Sequence, residues 1–166
     1  MSAHGTPAID VLRRAGVRFE VLEYVSPEAH GRDRDARPSY GLEAAAALGV
    51  DPARMFKTLV ASADGRLIAA LVPVDRELDL KRLAMAAGAR KATMGDPAVA
   101  ERATGYVVGG ISPLGGRRPM PTFIDRSAAA AETVYVSAGR RGLQLALGPA
   151  DLVRLTNATV AEIARP

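Results

Sequence analysis

The chain has 166 residues, 48% hydrophobic and 24% charged, with 22 basic against 18 acidic side chains and a net charge of +4. That length suits one domain over residues 1–166 with an ample core, and the composition is globular rather than disordered. Zero cysteines exclude disulfides, thiolate zinc sites, iron–sulfur clusters and a cysteine nucleophile, and two histidines are too few for a histidine-rich metal site.

Thr6-Pro7 predicts a cap followed by proline at the first helical position, with Ile9, Val11 and Leu12 as the apolar stripe and Gly16 as the stop. Residues 17–24 alternate, Val17, Phe19 and Val21 against Arg18 and Glu20, and predict a strand. Residues 25–38 carry Arg32, Asp33, Arg34, Asp35 and Arg37 without periodicity and read as an exposed connection. Ser39 is placed to cap a helix through the alanines at 44–47, which Gly49 ends, and Asp51-Pro52 opens a short helical turn. Two apolar runs then flank Asp64-Gly65, so residues 57–63 and 66–74 should pair as a hairpin across a two-residue primed turn. Asp79 caps a helix through Ala87 to Gly88, and Asp96-Pro97 caps another ending near Thr104-Gly105. Residues 106–108, 122–125, 133–137 and 143–147 are expected as strands, Pro149 starts a last helix to about Leu155, and the pattern leaves the type of residues 159–163 open. Helices and strands mix without a strict strand–helix–strand rhythm. The expected fold is therefore α/β, a single mixed sheet, partly curled, with helices packed outside it.

The longest apolar run, residues 67–74, is far shorter than the roughly 20 residues a spanning helix needs, and residues 1–14 lack the apolar stretch of a signal peptide. A cytoplasmic protein with no membrane partner is expected. The modest net charge permits a nucleic-acid partner without demanding one. Basic residues come in adjacent pairs, among them Arg117-Arg118 and Arg140-Arg141, and such pairs commonly serve solubility alone. Arg117-Arg118 differs because it follows a glycine-rich loop, where backbone amides and guanidinium groups can meet a phosphate together.

Positive charge is carried by 19 arginines and only three lysines. Lys57 stands out among them, set in Met55-Phe56-Lys57-Thr58-Leu59-Val60 at the start of an apolar strand. Its plain structural reading is an edge lysine reaching out to water; its functional reading is a compact charge at the mouth of a pocket, suited to a phosphate or a developing negative charge. Residues 105–116 hold five glycines and a proline, neither in dinucleotide-fingerprint spacing nor followed by a Walker Gly-Lys-Ser/Thr. A loop this long and glycine-rich presents bare amides to a ligand more readily than it makes a simple turn. Ser112 has no histidine or nucleophile elbow around it, and no acidic run forms a metal loop, so no cofactor is called for. These residues point to an anionic or carbonyl ligand without naming a reaction.

Phe56-Lys57-Thr58-Leu59-Val60, the segment Thr104-Gly-Tyr-Val-Val-Gly-Gly-Ile-Ser-Pro-Leu-Gly115, Pro121-Thr-Phe-Ile-Asp125 and Tyr135-Val-Ser-Ala-Gly-Arg-Arg-Gly-Leu143 together resemble the YbaK/EbsC branch of the prolyl-tRNA synthetase editing-domain superfamily. The resemblance runs in order along nearly the whole chain. It implies a curled mixed sheet flanked by helices and a free-standing aminoacyl-tRNA deacylase that clears mischarged tRNA, Cys-tRNA(Pro) first, with tRNA carrying alanine, serine or another small residue as the alternative. Lys57 would be the essential pocket lysine, with Gly109 and Gly110 in the catalytic part of the loop. Ile111, Ser112 and Pro113 would complete the loop against the aminoacyl ester and terminal adenosine, and Tyr24 would stand at the pocket edge. The implied partners are the acceptor end of tRNA(Pro), reached by Arg117, Arg118, Arg140 and Arg141, and prolyl-tRNA synthetase. Cysteine-specific members carry a carboxylate just after Arg-Gly-Leu, where this chain has Gln144, a neutral amide that cannot act as base. Two rival classes remain: a non-catalytic module that binds aminoacyl-tRNA or a synthetase, and an esterase acting on a small free ester or another tRNA.

Overall fold

The computed structural model describes residues 5–25 and 40–166. Among them the helices are α1 (Pro7–Ala15), α2 (Tyr40–Leu48), α3 (Leu80–Ala87), α4 (Pro97–Thr104) and α5 (Pro149–Thr156). The strands are β1 (Phe19–Glu23), β2 (Phe56–Ala63), β3 (Arg66–Pro73), β4 (Glu77–Leu78), β5 (Ala92–Met94), β6 (Thr122–Asp125), β7 (Val134–Ser137), β8 (Leu143–Leu147), β9 (Thr159–Ala161) and β10 (Ala164–Arg165). The α/β class and the curled mixed sheet are as expected. Hydrogen bonding divides the curl into a five-stranded mixed sheet, β5-β2-β3-β6-β9, a three-stranded antiparallel sheet, β1-β8-β7, and the pair β10-β4. An isolated parallel bridge between Met55 and Tyr135 joins the two larger sheets.

The local signals act as their chemistry dictates. Thr6 Oγ1 accepts from the Ile9 amide at 3.2 Å, and Gly16 ends α1 in the left-handed region. Asp64 and Gly65 have φ of 50° and 85°, the primed turn that lets β2 and β3 pair along their full length. The Asp64 carboxylate also takes the amides of Arg90 and Lys91 at 2.9 and 3.0 Å, which delivers the chain into β5 beside β2. On the even-numbered face of β2, Phe56 joins a core with α1, α5 and the three-stranded sheet, where Leu71, Ile124, Leu143 and Leu145 are buried, and Val60 packs with Ala100, Tyr106 and Ile111. Odd-numbered residues face a second core under α3, with Val72, Ala70 and Leu83. A third cluster packs Ala44 and Ala45 of α2 over Met55, Val74, Tyr24 and Tyr135.

The exposed connection at 25–38 and the Ser39 cap lie, apart from Val25, outside the described residues, and α2 starts at Tyr40. Residues 106–108 do not form a strand. The Val108 N–H goes to Glu101 Oε2 at 2.8 Å and its carbonyl to the Arg141 guanidinium, so side chains occupy the groups a ladder would use, and Gly109 at φ +90° turns the backbone away. The open segment at 159–163 becomes β9, parallel to β6, and then turns into β10. The carboxylate of Asp125 fixes that turn by accepting from Ile163 and Ala164 at 3.0 and 2.9 Å.

Candidate functional site

Residues 105–116 leave α4 at Gly105 and rejoin it at the arginines, where the amides of Arg117 and Arg118 bond Thr104 O and Ala103 O at 2.9 Å each. Tyr106 pins the inside of the loop. Its hydroxyl donates to Leu114 O at 2.7 Å, and burial pushes its pKa up to about 12. The Gly110 N–H closes a turn on Val107 O at 2.9 Å. The amides of Gly109, Ile111 and Ser112 meet no acceptor among the described residues and are left as donors. Any Cβ at Gly110 would lie 2.8 Å from the Arg140 backbone, so only glycine lets the loop press on the turn between β7 and β8.

Lys57 and Gln144 belong to one row of side chains. Met55 and Tyr135 sit opposite each other in the bridge, so Lys57 and Ser137, each two residues further on, share their face. Ser137 is paired with Gln144, and Gln144 with Leu22. Past the bridge no ladder joins β2 to β7. Gln144 is 6% exposed, yet its Oε1 has no hydrogen-bond partner among the described residues. A buried acceptor in that condition costs about 1–3 kcal/mol unless a donor reaches it. Tyr24 stands on the same side beside Met55 and Tyr135, and its amide bonds Gly142 O at 3.0 Å.

Burial lowers the pKa of Lys57 from its ordinary 10.5, and the nearby Glu77 and Asp75 carboxylates offset part of that. The arginines divide. Arg140 and Arg141 line an open cleft of about 350 Å³ with Tyr24 and Gly142, but Arg141 is engaged: Nε and Nη2 hold Val108 O at 2.9 and 2.6 Å, and the guanidinium lies 4.5 Å above the Tyr40 ring. Arg118 lies at a separate cavity lined by Ile111, Ser112 and Pro113, on the far side of the loop. Gly109 and Gly110 meet Arg140 and Arg141, whereas Ile111 packs on Val60 of the opposite β2 face from Lys57. The loop thus stands between two concavities. Among the described residues no three His, Asp or Glu side chains form a metal-holding group, and no helix is long and apolar enough to cross a membrane.

The aminoacyl-tRNA editing domain model matches residues 38–155. The chain belongs to this family. It is 41% identical over 159 residues, 95% of this chain and 92% of the other, to EbsC of Enterococcus faecalis, whose name as a Cys-tRNA(Pro)/Cys-tRNA(Cys) deacylase is provisional. A 98-residue stretch, 59% of this chain, is 39% identical to 17% of a proline–tRNA ligase of Moorella thermoacetica. Among solved structures, a hypothetical protein superposes with a TM-score of 0.82 at 25% identity, covering 96% of this chain and 100% of that one. A protein described as a candidate trans-editing enzyme for prolyl-tRNA synthetase superposes at 0.81 and 23% identity, covering 100% and 99%, and carries the fold likeness alone.

Nothing in the sequence marks Glu101 or Tyr40 as loop supports: Glu101 reaches the Val108 amide seven residues on, and Tyr40 meets Gly109 from across the fold. Ser137 and Thr58 do stand inside the quoted motifs. What places Ser137 beside Lys57 is the register of β7, which no local pattern encodes.

Proposed function

We propose that this editing-family protein is a trans-acting aminoacyl-tRNA deacylase, its whole chain one domain, that removes a mischarged small residue, cysteine first, from tRNA(Pro) in the cytoplasm, alongside prolyl-tRNA synthetase. The observation that carries the reading is a buried, unpartnered acceptor at Gln144 and a cation at Lys57 in one row of side chains, with the acceptor-free amides of the 109–112 loop pressed on the β7–β8 turn that leads into Gln144's strand. An aminoacyl ester presents the complement, an α-ammonium donor for Gln144 and a carbonyl oxygen that becomes an oxyanion for the amides of the 109–112 segment. Lys57 supplies positive charge to the phosphate or to that oxyanion.

The chain offers no cysteine, and the described residues contain no histidine to pair with a serine. Attack therefore falls to the substrate thiol or to water. In the first case the sulfur adds to the ester carbonyl carbon, the bond to the ribose oxygen breaks, that oxygen takes a proton, and a cyclic thioester leaves. The sulfur is held beside its own carbonyl, so the entropy of bringing reactants together is already met. Gln144 cannot take the thiol proton, which passes to water.

Turnover separates this reading from that of a binding module. With Cys-tRNA(Pro) in tenfold excess over protein, a deacylase consumes all of it, while release limited to one equivalent or none contradicts the proposal.

A further inference from the structure

On the side of the loop away from Lys57 lies a cavity of about 240 Å³, walled by Thr58, Ser112, Pro113, Met120 and Leu155, with Arg118 among its lining residues. Three donors without acceptors belong to its lining. Thr58 Oγ1 is buried and has no partner among the described residues. Ser112 Oγ accepts the Leu114 amide at 3.3 Å, which leaves its own hydroxyl hydrogen to give. Arg118 is exposed and forms no ion pair with a described carboxylate, and no acidic side chain lines the cavity. Two further hydroxyls have the opposite character. Thr122 and Thr156 spend their hydrogens on Met120 O at 3.2 Å and Leu152 O at 2.7 Å, so they offer lone pairs.

We propose that this cavity is a second binding site, for a ribose phosphate. The phosphoryl oxygens accept from Thr58, Ser112 and Arg118, bonds strengthened by the ligand's charge. The sugar hydroxyls donate to Thr122 and Thr156, and Pro113, Met120 and Leu155 pack on the sugar's apolar edge. The volume is below the roughly 300 Å³ at which drug-sized pockets begin, and it suits a sugar phosphate. The occupant is a nucleotide, either free or within an RNA strand. Assigning it to the strand that carries the ester rests on the editing reading, and it makes the loop a partition, with ester chemistry on one side and a backbone phosphate on the other.

The test is a titration of the full chain, followed by the amide resonances of Ser112, Gly115 and Gly116, with cytidine 5′-monophosphate, cytidine, and a short single-stranded RNA. The monophosphate should shift these amides saturably, and cytidine should bind at least about tenfold more weakly. Thr58→Val keeps the shape of the side chain and removes the donor. It and Arg118→Ala should each weaken the monophosphate about three- to tenfold, whereas Lys81→Ala, on the exposed side of α3 and outside the cavity lining, should not. RNA binding tighter than the monophosphate, and equally sensitive to Thr58→Val, supports a site for the strand; RNA that leaves these amides unmoved overturns that part and leaves a free nucleotide. No saturable shift with the monophosphate, or shifts insensitive to both variants, overturns the site itself. The readout needs no turnover, so a protein inactive on charged tRNA can still bind the nucleotide, and an active one can fail to.

Discussion

Arg141 grips the carbonyl of Val108 with two guanidinium nitrogens, Nε at 2.9 Å and Nη2 at 2.6 Å, while Glu101 of α4 holds the N–H of the same residue at 2.8 Å. One peptide step before Gly109 is therefore anchored from both ends by side chains that lie far apart in sequence. The loop amides that follow inherit their direction from that anchor.

Arg141 and Arg118 should consequently separate in function. Arg141→Lys keeps the charge but cannot reproduce a two-nitrogen grip in one plane. It should lower the single-turnover rate at saturating tRNA by about tenfold and leave the salt dependence of binding nearly unchanged. Replacing Arg117 and Arg118 together should do the reverse, flattening the slope of log affinity against log salt by up to about two units at a nearly constant rate. Binding measured from 50 to 200 mM salt, with quenched-flow rates, checks both. A slope lowered by Arg141→Lys alone would make it a phosphate contact.

Lys57 is charged at a cost, since burial lowers its pKa below 10.5. Because the folded value lies below the unfolded one, the unfolded chain holds more protons in the window between them. The penalty is thus present below the folded pKa and disappears as pH rises through that window. Lys57→Met should lower deacylation by on the order of a hundredfold or more, with stability unchanged or slightly higher at pH 7. In the wild type, activity should decline as pH rises through the lowered pKa. An unfolded variant, or a folded one with full activity, would take Lys57 out of the site.

Much of this architecture is legible in the sequence. Asp64-Gly65 between two apolar runs predicts the β2–β3 hairpin because the primed turn needs two positive φ values, and Asp and Gly supply them cheaply. Caps at Thr6, Asp51, Asp79 and Asp96 are equally local. What the local pattern misses is held by distant partners. β5 exists because Asp64 captures Arg90 and Lys91, β9 because β6 lies alongside, and residues 106–108 fail as a strand because Glu101 and Arg141 take their backbone groups. The site follows the same division: Lys57 and the glycine loop announce themselves by composition, while the Lys57–Ser137–Gln144 row needs the register of three strands.

Asp125 gives a stability prediction. Burial works to raise the pKa of its carboxyl, but bonds from Ser127 Oγ and the amides of Ile163, Ser127 and Ala164 outweigh it and leave the pKa below 3.8. Asp125→Ala strands two amides at the β9–β10 turn and should cost about 3 kcal/mol or more in urea unfolding at pH 7. The stabilisation is present above the unfolded carboxyl value and is lost as pH falls through the folded one. The gap between variant and wild type should accordingly narrow as pH drops below 3.8. A gap that is constant with pH would assign the loss to packing.

Substrate-assisted attack requires a free thiol. Cys-tRNA(Pro) should be cleared much faster than its S-methylated form, in which the sulfur cannot lose a proton and close on the carbonyl. Comparable rates would leave hydrolysis by a water held at the 109–112 amides.

A trans-editing deacylase for Cys-tRNA(Pro) is tested most directly by a side-by-side measurement of deacylation rates for tRNA(Pro) charged with cysteine, alanine, serine and proline, at one enzyme concentration. Cys-tRNA(Pro) should be cleared fastest, by tenfold or more over Ser-tRNA(Pro), which differs by one atom, and Pro-tRNA(Pro) should be left intact. Equal rates across the four, or preferential loss of the correctly charged Pro-tRNA(Pro), would contradict that assignment.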